Sequence, residues 1–453
     1  MAKEKTMDMT KGSPLKHIIW FSIPLIIGNI FQQFYSMVDT IIVGRTISVD
    51  VLAAVGSTGA LSFFIIGFTM GMTNGFAIMV SQRFGAGDLG GVRRSVAMGG
   101  MLSAVFAVLI TVVSVAASRS LLIWMNTPEN IFADAYAYIT VIYLGIPATM
   151  FYNYLSSVIR ALGDSKTPLY FLLVASALNI VLDFVFILNV HMGVAGAALA
   201  TILSQGVSGL LCLFYVIKRF PVLHLQKQDW RFDRRFAWYH LRLGVPMAIQ
   251  NSVIATGSMT VQTMLNGFGS IAVAGYTAAS KIEQLVSQVL MSLGLTLATF
   301  VGQNFGAGRL DRIKDGVRKC ALILLSLAAI GAVMVIVFGD GLTRIFVGST
   351  EKNVAEVVAF SRQYLNIAAC FYLILGCIFI FRNALQGIGN TLVVLIGSAV
   401  ELGGRLIGSL LLAAPFGYAG VCFASPLAWT GAAVLFIVVY IVSMRRLTRA
   451  ARV

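Results

Sequence analysis

The chain has 453 residues, of which 58% are apolar and only 11% are charged. Soluble domains carry roughly 25% charged residues, so this composition excludes an ordinary soluble domain. Apolar runs long enough to cross a bilayer core recur along the whole chain. The sequence therefore predicts an all-α polytopic membrane protein.

Twelve candidate membrane-spanning helices follow one another, each bounded by charges, Gly/Pro pairs or short polar turns. They lie near residues 15–43, 52–80, 95–117, 132–158, 167–189, 194–217, 241–268, 271–301, 317–338, 354–381, 391–414 and 419–444. Because twelve is an even number, both termini are expected on the same side of the membrane. The basic N-terminal segment has no small-residue cleavage site before the first span and is interpreted as a retained signal anchor.

The 33 Lys and Arg residues outnumber the 18 Asp and Glu residues, which gives a net charge of +15. Most of these bases fall on the side of the termini. Two, Lys281 and Arg405, lie deep inside spans, and five fall on the opposite side or in the part of a span that leads from it: Arg45, Arg119, Arg344, Lys352 and Arg362. The positive-inside rule then predicts cytoplasmic termini and a location in the cytoplasmic membrane. The bases mark topology and contact membrane lipid, so no nucleic-acid partner is expected.

Four sequence matches recur in the same order in the two halves of the chain. They pair residues 22–31 with 244–253, 81–88 with 302–309, 160–167 with 386–393, and 193–196 with 417–420. Such a series indicates an internal duplication. The predicted domains are an N-lobe of six spans at 1–217, a basic cytoplasmic linker at 218–240, and a C-lobe at 241–453 with six spans and a basic tail.

Six spans per unit make the two repeats parallel, related by a pseudo-twofold axis along the membrane normal. Transporters with parallel repeats bind substrate near the midplane between the halves and rock to alternate access. A channel needs no such lobes. A duplicated structural protein without transport is the remaining alternative.

These residues resemble the MATE family of multidrug and toxic compound extrusion transporters, most closely its prokaryotic DinF-like branch. The motifs that carry the resemblance are VDTIIVGR at 38–45, the paired Q-x-F-G-A-G loops, the GD and GN loops near 163 and 389, and the two GxAG segments. The resemblance implies a secondary antiporter that exports drug-like organic cations and amphipathic compounds in exchange for H⁺ or Na⁺. We expect a monomer that is not an enzyme and needs no cofactor.

Four acidic residues lie well inside the predicted spans, away from the first turn: Asp39, Asp183, Glu283 and Glu401. An intramembrane carboxylate costs roughly 2.5–3.5 kcal/mol on insertion scales, so each is a functional candidate. Asp39 in the first span and Asp183 in the fifth can share a depth. Asn179 precedes Asp183 by one helical turn on the same face, and Thr201 lies about two turns into the sixth span.

Asp39, Asn179, Asp183 and Thr201 together offer oxygen atoms suited to a shared proton or, if coupling uses sodium, to Na⁺. Desolvation and like charge both favour a protonated carboxyl group here. The family resemblance implies the same cation site, with Tyr138 on the fourth span as its aromatic companion. Polar residues that merely tie helices together are the alternative.

The C-lobe acids have nearby bases. Glu401 precedes Arg405 by four residues, and Lys281 precedes Glu283 by two. Such spacing predicts a charge network, which is much less costly in a membrane than isolated charges. A structural or gating role and a direct role in binding both remain open. Beyond their first turns, the seventh and tenth spans lack the acids found in the family's other bacterial branch, which favours coupling in the N-lobe.

Pro24 and Pro246 fall inside the first span of each lobe, where proline kinks a helix. They are candidate hinges, although simple packing explains them equally well. Gly67, Gly71 and Gly75 repeat at a four-residue interval on the second span. This spacing favours close helix packing over a moving interface.

Two other functions are alternatives to drug export. A lipid-linked precursor flippase, related through the wider superfamily, should carry an arginine cluster for pyrophosphate, whereas only Arg405 is clearly embedded. An intramembrane enzyme should carry a catalytic motif, but the acids in the spans form none and no H-E-x-x-H occurs.

Overall fold

The computed structural model describes residues 7–46, 49–346 and 353–451, without the side chains of 36–41, 43–46, 49, 50 and 52. This described part consists of thirteen α-helices and contains no β-strand. Their bounds are α1 Pro14–Thr46, α2 Val49–Gly85, α3 Leu89–Trp124, α4 Glu129–Leu144, α5 Ile146–Ala161, α6 Lys166–Phe184, α7 Gly193–Arg219, α8 Arg234–Asn266, α9 Ser270–Gly306, α10 Leu310–Phe346, α11 Val354–Cys370, α12 Tyr372–Ile388 and α13 Thr391–Ala450.

These helices supply the twelve predicted spans. The fourth span is the pair α4 and α5, bent by 45°, and the tenth is the pair α11 and α12, bent by 52°. Helix α13 combines the last two spans. They are separated by a kink at Gly417, whose backbone angles, φ 57° and ψ −134°, are not helical. Helix α8, which is richer in polar residues, provides the seventh span. The predicted all-α fold with twelve spans is confirmed.

Three pairs of glycines give the two halves of the chain matching turns. Their φ angles are 70° and 68° at Gly87 and Gly308, 92° and 94° at Gly163 and Gly389, and 56° and 57° at Gly193 and Gly417. Each pair lies in one of the sequence matches that indicated duplication. Glycine adopts a positive φ without the strain that a Cβ atom imposes. The matching backbone geometry explains why these glycines recur.

The chain forms two compact units whose boundaries differ from the predicted lobes. Among the described residues, unit 1 contains 7–9 and those between 23 and 251, and unit 2 contains 10–22, 252–346 and 353–451. The boundaries therefore fall inside α1 and α8, near Pro24 and Pro246, rather than on either side of the segment 218–240.

Packing explains why residues 218–240 belong to unit 1. Phe220, Leu223 and Phe236 are buried and belong to the same apolar core as residues of α3 and α5. The first half of α8 also packs closely against α2, because a Cβ atom on Gly71 would lie 2.3 Å from the carbonyl oxygen of Met247. The predicted linker is thus a folded part of unit 1.

Candidate functional site

Helix α6 buries a polar face in unit 1. Ser176, Asn179 and Asp183 lie one helical turn apart, and the side chain of Asp183 has no solvent exposure. Two residues after Asp183, the helix continues as a π-helical turn over Val185–Asn189, with the N–H of Val190 donating to the carbonyl oxygen of Val185 at 3.0 Å. Such π-turns within helices occur frequently at functional sites.

The amide of Asn179 joins three helices. In the orientation that satisfies its neighbours, Nδ2 donates to Asp183 Oδ2 at 3.1 Å, and Oδ1 accepts from the backbone N–H of Thr201 on α7 at 3.0 Å. The hydroxyl of Tyr35 on α1 also hydrogen-bonds to this amide. The Thr201 hydroxyl donates to the carbonyl oxygen of Ala197 at 3.1 Å. Helices α1, α6 and α7 therefore meet at a buried polar cluster.

Tyr138 and Asp39 relate to this cluster in different ways. Tyr138 on α4 packs, partly buried, in an apolar cluster that includes Ile180 and Ala197. These two residues lie next to Asn179 and one turn before Thr201, respectively. The backbone of Asp39 belongs to α1, one turn beyond Tyr35, but its side chain lies outside the described residues.

Sequence patterns alone do not single out Tyr35. Its position four residues before Asp39 places both on one helical face, and this spacing is the only local sequence signal for its role. The contact with Asn179 joins residues 144 positions apart. The sequence contains nothing that specifies such a long-range pair.

The polar cluster offers four groups whose oxygen atoms can serve as ligands. Asp183 supplies a carboxylate, Thr201 and Tyr35 supply hydroxyl groups, and Asn179 supplies an amide oxygen. Oxygen ligands of this kind suit small, hard cations, and a buried carboxylate can equally hold a proton. The residues present therefore fit a proton or a small cation such as Na⁺.

The C-lobe acids lie in a second polar cluster, within unit 2. Arg405 Nη2 donates to Glu401 Oε1 at 2.6 Å, and both side chains are about nine-tenths buried. Arg405 Nη1 also donates to the hydroxyl of Ser258 on α8 at 3.2 Å. This arrangement joins the eleventh span to the seventh through one guanidinium group.

Glu283 has a different partner. It accepts a hydrogen bond from the hydroxyl of Tyr364 on α11, and Tyr364 in turn packs edge-on against Tyr276 with 4.7 Å between ring centroids. Lys281 is exposed and has no ion pair in the described part of the chain. The structure therefore pairs Glu401 with Arg405 and Glu283 with Tyr364, and it places Lys281 in neither pair.

Comparisons with known proteins agree with this architecture. The family model MatE matches residues 24–185 and again 246–411. The "Probable multidrug resistance protein YpnP" of Bacillus subtilis is 33% identical over 403 residues, covering 86% of each chain. The "Probable multidrug resistance protein NorM" of Thermotoga maritima is 27% identical over 386 residues, covering 83% of this chain and 81% of its own.

Solved structures show the same fold. One described as the outward-facing conformation of a multidrug resistance MATE family transporter has a TM-score of 0.91 and 23% identity, with 99% of both chains covered. A transporter from Pyrococcus furiosus, described as having a binding pocket of reverse polarity, has a TM-score of 0.91 and 22% identity, with 99% of this chain and 100% of its own covered. The twofold match to the family model and the identity to the Bacillus protein show that this chain belongs to the MATE family of membrane transporters.

Proposed function

We propose that this transporter exports drug-like organic cations and other amphipathic compounds in exchange for H⁺ or Na⁺, which bind at Asp39, Asn179, Asp183 and Thr201. The observation that carries the proposal is the buried Asp183 carboxylate, hydrogen-bonded to an amide that also contacts α1 and α7. The names of the relatives support drug export. The transporter works as a monomer without a cofactor, and both termini face the cytoplasm.

The cluster couples ion binding to helix position through its hydrogen bonds. An ionised Asp183 only accepts hydrogen bonds, whereas a protonated Asp183 also donates one. Loss or gain of this proton, or occupation by Na⁺, therefore changes which contacts Asn179 can make with Tyr35. Because Tyr35 lies on α1, the bound ion biases the position of that helix. The ion and the substrate bind to different conformations of the transporter, so they do not bind at the same time. This mutual exclusion couples the entry of the ion to the export of the substrate.

Export is favoured over the flipping of a lipid-linked precursor. A flippase for a pyrophosphate-linked lipid needs several unpaired cations facing its cavity. Arg405 is instead paired with Glu401 at 2.6 Å. The charge of this intramembrane arginine is therefore compensated within the protein.

Purified protein in liposomes tests the proposal, with the pH gradient and the sodium gradient imposed separately and efflux of a fluorescent organic cation as the readout. We expect one of the gradients to drive transport by the wild type, and neither to drive it in Asp183→Asn or Asp39→Asn. Glu129→Gln, at the start of α4, is the matched control and should transport normally. Gradient-driven transport at the wild-type rate by Asp183→Asn would contradict the assignment.

A further inference from the structure

A basic cleft lies between the start of α10 and the end of α13. It has a volume of about 390 Å³, and its lining includes Lys314, Arg445 and Arg449 together with the apolar side chains of Tyr440, Ile441 and Met444. Lys314 Nζ donates to the hydroxyl of Thr448 at 2.9 Å, which holds its ammonium group at the cleft. Arg445 and Arg449 lie one turn apart on the same face of α13.

The three cations have no carboxylate partners in the part of the chain that the structure describes. The two acidic residues nearest in sequence on α10 are already paired with other bases. Asp315 lies 2.7 Å from Lys319, and Asp311 lies 3.3 Å from Arg309. Lys314, Arg445 and Arg449 therefore concentrate uncompensated positive charge, which attracts an anion.

An apolar stripe on α13 leads to the cleft. Val434, Val438 and Ile441 are 57%, 52% and 42% exposed, and their spacing places them on the same helical face as Arg445. The predicted twelfth span ends at residue 444, and the predicted ninth begins at 317. The cleft therefore lies at the level of the lipid headgroups, with the stripe running into the hydrocarbon region.

We propose that this cleft binds an anionic phospholipid, with its phosphate between Lys314, Arg445 and Arg449 and an acyl chain along the stripe. Three converging bases match a phosphate, and the continuous apolar stripe matches a hydrocarbon chain. Basic pockets between membrane helices on the cytoplasmic side are a recurring form of headgroup recognition. The site is separate from the proposed ion-coupling cluster in unit 1 and does not depend on it.

Native mass spectrometry of the full-length protein tests the proposal, with titrations of phosphatidylglycerol and, as the neutral lipid, phosphatidylcholine. The cleft variant is Lys314→Gln with Arg445→Gln. Its matched control is Arg318→Gln with Arg446→Gln, which removes the same charge from the same two helices at exposed positions outside the cleft lining. Two headgroup contacts predict about 30-fold weaker phosphatidylglycerol binding in the cleft variant, and wild-type affinity in the control.

The outcomes separate a specific site from general attraction. Selective loss in the cleft variant supports the proposal, as does failure of inorganic phosphate to displace the lipid. Equal loss in both double variants, no preference of the wild type for phosphatidylglycerol, or displacement by inorganic phosphate would overturn it. If the cleft variant is unstable, Arg449→Gln alone decides the question with an expected loss of about fivefold.

Discussion

The amide of Asn179 is the point at which α1, α6 and α7 meet, and Tyr35 is its partner on α1. Tyr35→Phe removes only the hydroxyl group. A hydrogen bond of this kind contributes about 0.5–1.5 kcal/mol, so the proposed coupling predicts that the ion binds roughly 2- to 10-fold more weakly. The measurement is the ion concentration for half-maximal efflux from liposomes. Tyr170→Phe, at an exposed position on α6, is the control, and an equal shift in both variants would contradict a role for Tyr35.

The ion pair of Glu401 and Arg405 permits a second test at the level of single residues, with thermal stability as the measured property. Removing one partner of a buried ion pair leaves an uncompensated charge and costs about 3–5 kcal/mol. We therefore expect Arg405→Met and Glu401→Gln each to lower the thermal unfolding temperature strongly. The double variant should be much more stable than the sum of the two single effects indicates.

The exposed pair of Arg362 and Asp340, with 3.4 Å between its charged atoms, provides the comparison. Because a solvated pair contributes about 0–1 kcal/mol, Arg362→Gln should change the unfolding temperature little.

Additive effects of the two substitutions at 401 and 405 would contradict the predicted coupling, because they would show that these residues act independently of one another.

At the scale of helices, α2 and α8 approach closely along Gly67, Gly71 and Gly75. Asn251 Nδ2 donates to the carbonyl oxygen of Gly67 at 2.9 Å, and Gly75 lies against the backbone of Gly244. The predicted close packing of the small-residue stripe is confirmed. The glycine at position 71 has the least room, because the nearest atoms belong to a backbone that cannot move aside easily.

Gly71→Ala should therefore destabilise unit 1 by about 1–3 kcal/mol, as overpacking does. Gly59→Ala on the same helix meets no atom within 4 Å, so the higher helix propensity of alanine should leave stability unchanged or raise it by up to about 1 kcal/mol. Thermal unfolding of the two variants gives the comparison. A similar effect of both substitutions would show that the approach of α8 to Gly71 does not restrict this position.

Local patterns were sufficient for much of the architecture. Apolar runs located the spans, and the spacing of Asn179 and Asp183 located one face of α6. Contacts between distant parts of the chain were not predictable in this way. Neither the bond from Tyr35 to Asn179 nor the burial of Phe220 and Phe236 has a periodic signature, because each depends on how separate helices pack. For the same reason Lys281, although only two residues from Glu283, remains exposed and forms no ion pair with it among the described residues.

At the scale of the whole molecule, α1 and α8 are the helices that pass from one compact unit to the other. Pro24 follows the boundary after residue 22 by two residues, and Pro246 precedes the boundary after residue 251 by five. A proline inside a helix removes one backbone hydrogen bond and lowers the resistance to bending. Any movement of one unit against the other would have to bend these two continuous helices. Both prolines lie close to the points where such bending is expected.

This placement predicts a kinetic effect of Pro24→Ala. Restoring the backbone hydrogen bond should stiffen α1, so we expect a several-fold lower rate of gradient-driven efflux with little change in substrate affinity and no loss of thermal stability. Pro426→Ala is the matched control, because Pro426 lies inside α13 and within unit 2. Transport rates in liposomes and substrate binding in detergent distinguish the two effects. Equal rates for the two variants would assign Pro24 to packing, whereas a selective decrease in Pro24→Ala would identify α1 as a bending element of the transport cycle.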